Sequence, residues 1–146
     1  MNVYLRAFEL DDYNKLSLWR KDESIVRYLG GNVFFSSSER EKKWVEDKIF
    51  NDTRHLYVAI CLIETHEFIG YTSINNIDLR NQKAEWGGTL IGEKSAWGKG
   101  YGKDASKLLL RYLFEQFPVN KCYGYCLEEH PASKKLFLGL GFKQDG

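Results

Sequence analysis

The sequence lacks the features that mark nucleic-acid-binding, membrane and secreted proteins. Its 21 lysines and arginines are balanced by 20 aspartates and glutamates, so a formal net charge of +1 gives no overall field that would attract nucleic acid or an anionic membrane. No run approaches the roughly 18 continuous apolar residues of a membrane span, and the N-terminus MNVYLRAFELDD lacks the apolar core of a signal peptide. We therefore expect a cytoplasmic protein that binds neither nucleic acid nor membrane.

Cysteine and histidine are also scarce. The three cysteines, Cys61, Cys122 and Cys126, are odd in number and lie in apolar, strand-like runs, where cysteine is usually a small buried hydrophobic residue. The C-x-x-x-C spacing of the last two is unlike a zinc knuckle, and the three histidines fall in three different segments. We expect neither disulfides nor a metal site.

The sequence does contain enough apolar residues for one sizeable core. Hydrophobic residues make up 43% and aromatic residues 15% of 146 residues, without repeats or a linker rich in Pro, Gly and Ser, which predicts a single domain over residues 1–146. Apolar spacing and turn residues predict, in order, a strand, two helices, three antiparallel strands, a helix, a strand and a last helix.

Capping residues place several helix ends. Asp11 and Asp12 are candidate caps for the first helix, and Ser38 followed by Glu41 has the spacing of a capping box for the second. Gly141 is predicted to close the last helix in a left-handed conformation. These signals fix the order of the elements along the chain.

One stretch, WGKGYGKDAS at 97–106, alternates three glycines with other residues just before a predicted helix. Glycine lowers helix stability by roughly 1 kcal/mol relative to alanine, so such a run needs a backbone reason. A glycine turn at a helix start presents unpaired N–H groups and the positive end of the helix dipole, which suits phosphate. The Walker pattern is absent because Asp104 follows Lys103, and the dinucleotide fingerprint is absent because Lys103 replaces its third glycine. A tight turn between sheet and helix is the alternative reading.

These features resemble the GNAT superfamily of acyl-CoA-dependent N-acetyltransferases, whose signature Q/R-x-x-G-x-G/A binds the coenzyme A pyrophosphate at this junction. Trp97, Gly100 and Gly102 occupy the three signature positions, and the Trp resembles the branch of ribosomal-protein N-terminal and small-amine acetyltransferases. The resemblance extends over LRAFELDD, FIGYTSI, AEWGGTLI and HPASKKLFLGLGF. It implies an α/β (α+β) fold whose mixed, largely antiparallel sheet is flanked by helices, with strands four and five parallel and splayed.

The resemblance implies that acetyl-CoA is the cosubstrate and that its acetyl group passes directly to a primary amine, without a covalent enzyme intermediate or a metal. The residues implied in acetyl-CoA binding are Thr89, Leu90, Ile91, Trp97, Gly98, Lys99, Gly100, Tyr101, Gly102, Lys103 and His130. The backbone of 89–91 would bond the pantetheine arm, and an N–H near Ile91 would bind the oxyanion. Ordinary sheet pairing is the alternative for these three residues.

Glu85 is the candidate catalytic base. It lies on the predicted fourth strand, where a carboxylate near the acceptor could take a proton from the ammonium group as the amine attacks. Strict alternation would place it on one face with Gly87, Thr89 and Ile91. A solvent-facing or cross-strand carboxylate is the alternative.

The group that returns a proton to the thiolate is harder to place. Many family members use a tyrosine of the last helix, but the corresponding residue here is Phe137, which has no proton to give. The N-terminal acetyltransferase branch has N-x-x-S at the start of this helix, which implies the catalytic role for Ser133. His130 then replaces the asparagine that contacts pantetheine, either as a similar hydrogen-bonding group or as an ordinary exposed residue.

The resemblance implies that the acceptor is a small-molecule or peptide amine, and it leaves open whether this is a small amine, a polyamine, an amino sugar or a protein N-terminus. The fold implied by the resemblance places Asp22, Glu23, Arg27 and Tyr28 at its entry. The two acidic residues could attract a cationic amine, or they could be surface charges of a helix.

Family members usually continue past the G-F dipeptide with one or two more strands, whereas this sequence ends at KQDG. A truncated chain, a naturally short protein and a strand borrowed from a partner subunit all fit, and an unpaired sheet edge would favour a homodimer. Two other functions compete with the enzyme: a non-catalytic acyl-CoA-binding or regulatory module and, more distantly, a nucleotide-binding domain.

Overall fold

The computed structural model describes residues 1–26, 35–125 and 131–144, with only the backbone at Val26 and within 131–134. The elements follow the predicted order, with one additional short helix after the first. They are β1 (Val3–Ala7), α1 (Tyr13–Lys21), α2 (Glu23–Val26), α3 (Ser38–Phe50), β2 (Leu56–Leu62), β3 (Phe68–Asp78), β4 (Lys83–Ile91), α4 (Tyr101–Gln116), β5 (Lys121–Tyr123) and α5 (Pro131–Gly139).

The five strands form one sheet in the order β1-β2-β3-β4-β5. The first four pair antiparallel with their neighbours, and β5 pairs parallel with β4 after the crossover through α4. The predicted mixed, largely antiparallel sheet is therefore confirmed. The register shows which side chains share a face, because residues directly opposite each other point to the same side.

Helices cover both faces of the sheet, and each face has its own apolar core. We name the faces after the helices that pack on them. The α1/α3 face is built around Leu16, Trp19, Val45, Ala59 and Cys61. The α4/α5 face is built around Ile74, Trp86, Ala105, Leu109 and Leu113. Full burial of a leucine contributes about 1.5–3 kcal/mol, so the apolar stripe of α4 is a main reason why that helix docks on the sheet.

A bulge in β4 changes which residues share a face. Ile74 of β3 pairs with Trp86, but Ser73 pairs with Gly88, so Gly87 is the additional residue. Trp86 and Thr89 therefore both lie on the α4/α5 face although three residues separate them. The predicted alternation is wrong: Glu85 lies on the α1/α3 face, opposite to Thr89 and Ile91.

Both bulge residues require glycine, for different reasons. A Cβ at Gly87 would collide with the side chains of Ser73 and Asn75. Gly88 has a φ of +91°, in the region that L-residues with a Cβ rarely adopt. The sequence AEWGGTLI thus encodes the bulge in its glycine pair.

Two predicted caps are also corrected. Ser37, not Ser38, caps α3, because its hydroxyl accepts a hydrogen bond from the Arg40 amide. Glu41 instead lies buried beside Arg20. Asp12 precedes α1, but its carboxylate accepts two hydrogen bonds from the Arg6 guanidinium at 2.9 Å. The cap at Gly141 is confirmed by its φ of +95° and by the hydrogen bond from the Phe142 amide to the Phe137 carbonyl.

Candidate functional site

The parallel strands β4 and β5 pair over only three residues. The register runs from Lys83–Lys121 to Glu85–Tyr123 and ends there, although β4 continues to Ile91. Among the described residues, the edge of β4 that faces β5 has no strand partner from Trp86 onward. The described pairing of the two strands therefore ends at Glu85–Tyr123, and we call the edge of β4 beyond it, which has no described strand partner, the gap.

Backbone amides of β4 point into this gap. The Gly92 amide donates to the Ile69 carbonyl at 2.8 Å, so it points toward β3. Because successive amides of a strand point to opposite edges, the amides of Ile91 and Thr89 point away from β3, toward the gap. The Ile91 carbonyl points the same way and accepts a hydrogen bond from the Trp97 indole at 2.7 Å. Trp97 thereby fixes the loop after β4 to the end of that strand.

The glycine turn follows directly. Gly98 and Gly100 have φ values of +76° and +79°, and Gly100 is the residue before α4 begins at Tyr101. A Cβ at either glycine would meet no atom within 4 Å, so conformation rather than crowding explains both. A Cβ at Gly102 would make ordinary contacts of 3.6–3.7 Å with Ile91 and Thr89. The turn that precedes α4 is thus exposed, and the start of α4 packs beside the end of β4.

Lysines flank the turn. Lys99 and Lys103 are both exposed. A Cβ at Gly139 would lie 3.4 Å from Lys103 Nζ, so this ammonium group reaches the C-terminal end of α5, where the helix dipole favours a cation. A contact of either lysine with phosphate stays a prediction.

Glu85 is the last residue of β4 that pairs with β5. Its Oε1 accepts a hydrogen bond of 3.3 Å from the Asn76 side chain. Tyr123 is its register partner across the parallel pair, and burial together with the Glu85 charge raises the pKa of the Tyr123 phenol. Cys122 lies alongside, and burial raises its pKa to about 11 although the Trp86 amide lowers it by hydrogen bonding, so it is a thiol at neutral pH.

The last helix begins at Pro131 as predicted. His130 lies outside the described residues, and Ser133 lies within the first turns of α5 without a described side chain. Phe137 packs edge-on against Trp86 with ring centroids 4.7 Å apart and against Phe142 at 5.0 Å. Phe137 therefore serves the core of the α4/α5 face.

The predicted acceptor residues are described only in part. Arg27 and Tyr28 lie outside the described residues. Glu23 is exposed at the start of α2, whereas the Asp22 carboxylate lies 2.8 Å from Lys94 Nζ and accepts hydrogen bonds from Ser24. These contacts, with Lys94 first, lower the Asp22 pKa to about 2. Asp22 thus already has a cation beside it.

Sequence reasoning missed a charged and aromatic cluster on the α1/α3 face. The Arg20 guanidinium lies 3.0 Å from the buried Glu41 carboxylate, 4.2 Å from the centre of the Trp44 ring and 3.5 Å from the Tyr71 hydroxyl. Ser36 donates to Glu41 at 2.6 Å. A signal was present, because Glu41 precedes the buried Val45 by one helical turn and so occupies the apolar stripe of α3.

Two further searches covered the part of the chain that the structure describes. No group of three or more His, Cys, Asp or Glu residues there could hold a metal ion. No helix there is long and apolar enough to cross a membrane. The cytoplasmic location stays a prediction.

Comparisons with known proteins identify the family. The family model for the acetyltransferase (GNAT) domain matches residues 2–143. An uncharacterized N-acetyltransferase, p20 of Bacillus licheniformis, is 28% identical over 97% of this chain and 79% of its own length. An uncharacterized protein of Methanocaldococcus jannaschii is 30% identical over 97% of this chain, which spans 28% of that protein.

Solved structures agree in fold. Spermidine N-acetyltransferase from Vibrio cholerae, solved in complex with CoA and spermine, superposes with a TM-score of 0.88 at 21% identity, covering 99% of this chain and 83% of that one. At this identity the likeness shows the fold. Together with the family match, it means that the chain belongs to the GNAT acetyltransferases and is an acetyl-CoA-dependent acyltransferase.

Proposed function

We propose that this GNAT family member transfers the acetyl group of acetyl-CoA to a primary amine that approaches from the α1/α3 face. The observation that carries the proposal is the parting of β4 and β5 at Glu85–Tyr123. It leaves the Thr89 and Ile91 amides facing the gap, beside the open glycine turn at the start of α4. A carboxylate, unpaired amides and a helix N-terminus thus occur in sequence along one cleft.

Each part of the cleft has a role in the proposal. The amides before Tyr101 and in the first turn of α4 bind the pyrophosphate, because they lack intrahelical partners and carry the positive end of the helix dipole. The amides that face the gap bond the pantetheine arm, and that of Ile91 stabilises the oxyanion formed when the amine attacks the thioester carbonyl. These roles follow the sequence prediction for residues 89–91 and 97–103.

The proton movements complete the chemistry. Glu85 takes a proton from the ammonium group, directly or through water, and the neutral nitrogen then forms the C–N bond as the C–S bond breaks. The second proton lost by nitrogen balances the proton that the departing thiolate gains. Ser133 is the predicted donor to sulfur. Tyr123 is a second candidate, because it is the register partner of Glu85 and its raised pKa keeps the phenol protonated.

The acceptor class is proposed by analogy. The neighbouring Vibrio cholerae structure is a spermidine N-acetyltransferase complex with spermine, so polyamines head the panel, followed by small amines, amino sugars and peptide N-termini. We also propose that the chain forms homodimers, since β5 is an edge strand of three residues and unpaired edges favour association. Another structural neighbour is a dodecamer.

The test is acetylation of this panel by wild type, Glu85→Gln and a control, Glu64→Gln, which changes an exposed residue of the β2–β3 turn. We expect Glu85→Gln to lower kcat by about 10²–10⁴-fold with unchanged acetyl-CoA affinity, and the control to keep full activity. Ser133→Ala and Tyr123→Phe in the same assay identify the donor to sulfur. Saturable acetyl-CoA binding without turnover of any amine would favour the non-catalytic module instead.

A further inference from the structure

A chain of buried hydroxyl groups connects β3, β4 and α4 beneath the candidate acetyl-CoA site. Thr72 donates to the Gly88 carbonyl at 3.0 Å and accepts from the Trp86 indole at 3.4 Å. Thr89 Oγ1 lies 2.8 Å from Thr72 Oγ1 and 2.7 Å from Ser106 Oγ. Ser106 in turn donates to the Gly102 carbonyl at 2.6 Å. These linked hydroxyl groups thus connect the bulge of β4 to the first turn of α4.

Burial among apolar residues makes the loss of these hydrogen bonds energetically costly. Thr72 and Ser106 are fully buried, at 0% exposure, between apolar residues of the α4/α5 face. A buried hydroxyl that loses its partner costs about 1–3 kcal/mol, whereas apolar side chains would have packed this interface without geometric demands. Hydrogen bonds, unlike apolar contacts, fix distances to within a few tenths of an ångström. The hydrogen-bonded hydroxyl groups therefore fix the position of α4 along β4.

Thr89 is the centre of the chain. Three hydroxyl hydrogens serve four contacts, because Thr72 and Ser106 each face one carbonyl oxygen as well as Thr89. Thr89 donates to Thr72, and either Thr89 or Ser106 donates in the contact between them, so one of these two hydrogens is shared between two oxygen acceptors. Its backbone amide points into the gap between β4 and β5, while its side chain points into the α4/α5 core. One residue therefore joins the pantetheine side of the site to the glycine turn.

We infer that Thr89 and Ser106 are positioning residues, whose hydroxyl chain holds the glycine turn at the separation from the β4 amides that lets one acetyl-CoA molecule engage both. The inference rests on the proposed function. A molecule that engages two subsites gains affinity from their fixed spacing, because the second contact becomes intramolecular. Loss of this spacing should weaken the binding of acetyl-CoA more than the binding of either half of it alone.

The experiment measures affinity for acetyl-CoA and, by competition, for its nucleotide half, 3′-phosphoadenosine 5′-diphosphate, in wild type and variants. Thr89→Val removes the hydroxyl and keeps the branched shape, and Ser106→Ala removes it from α4. For both we expect acetyl-CoA affinity to fall about 10-fold, with the nucleotide half changed about 2-fold or less. Thr89→Ser, which keeps the hydroxyl, should retain wild-type affinity. Ser36→Ala, which removes a buried hydroxyl on the α1/α3 face, is the matched control.

The outcomes separate the two proposals. Absence of acetyl-CoA binding by folded wild type overturns the proposed function. If wild type binds acetyl-CoA and both Thr89→Val and Ser106→Ala bind it with unchanged affinity, only the positioning inference is overturned. The positioning inference is also overturned if the variants bind acetyl-CoA and its nucleotide half with equally reduced affinity, or if Thr89→Ser does not keep wild-type affinity. Either result would mean that the hydroxyls only stabilise the fold. If Thr89→Val does not fold, the affinities of Ser106→Ala alone test the positioning inference.

Discussion

The two faces of the sheet bury polar groups by different chemistry. On the α4/α5 face the buried polar groups are neutral hydroxyls, Thr72 and Ser106, which bond to one another through Thr89 and to backbone carbonyls. On the α1/α3 face they include charged groups beside neutral hydroxyls such as Ser36, since Arg20 and Glu41 pair beneath Trp44 and Tyr71. The face where we propose that acetyl-CoA binds thus uses small hydroxyl side chains and backbone carbonyls. The face that we propose for the acceptor also uses long charged side chains.

The largest effect should come from breaking the charged pair. Glu41→Gln leaves the Arg20 guanidinium buried without its counter-ion, and loss of one partner of such a pair typically lowers the free energy of unfolding by about 3–5 kcal/mol. Urea denaturation measures this value. If the faces are independent, the folded fraction keeps its acetyl-CoA affinity.

The control for that prediction replaces both partners. Arg20→Met with Glu41→Leu removes the charges together, so most of the stability should return. A Glu41→Gln variant as stable as wild type would show that the pair is not energetically coupled. A fall in acetyl-CoA affinity would show that the two faces are not separate.

A smaller effect is expected from a side chain in the glycine turn. Gly100→Val places a branched residue at a φ of +79° and projects it into the space where phosphate is proposed to bind. Loss of two amide contacts to a charged group, each worth about 1.5–3 kcal/mol, should weaken acetyl-CoA binding at least about 100-fold by calorimetry.

Gly141→Val is the matched control for Gly100→Val. Gly141 has a φ of +95° and equally open surroundings, but it follows α5 and is not part of the glycine turn. Both variants should lose similar thermal stability, because each forces a left-handed conformation on a branched residue. Equal affinities for acetyl-CoA in the two variants would contradict the phosphate role of the turn.

The smallest effect concerns the ion pair between Asp22 and Lys94. The Asp22 pKa of about 2 in the folded state lies below the ordinary aspartate value of 3.8, so the stabilisation is present above about pH 4 and is lost as the pH falls toward 2. An NMR titration of the carboxyl carbon should give the low pKa in wild type and a higher one in Lys94→Met. An unchanged pKa in that variant would mean that Ser24 alone holds the carboxylate.

Local patterns were enough to predict the element order and the helix end at Gly141, and the family resemblance implied the parallel pairing of β4 and β5. They failed where a non-local partner decided the outcome. Glu41 was assigned to a capping box because the spacing fits, but Arg20 draws its carboxylate inward. The face of Glu85 was wrong because strict alternation counts every residue, whereas the register with β3 leaves one residue between Trp86 and Gly88 unpaired.

The bulge of β4 also sets a limit on how the strand can change. If Gly87 were instead paired in a regular two-residue repeat, one half of the strand would be turned over relative to the other. Either Glu85 would enter the α4/α5 core and Trp86 would leave it, or Thr89 would leave α4. The one unpaired residue thus lets Trp86 and Thr89 pack on the same side of a continuous strand while Glu85 stays on the opposite side.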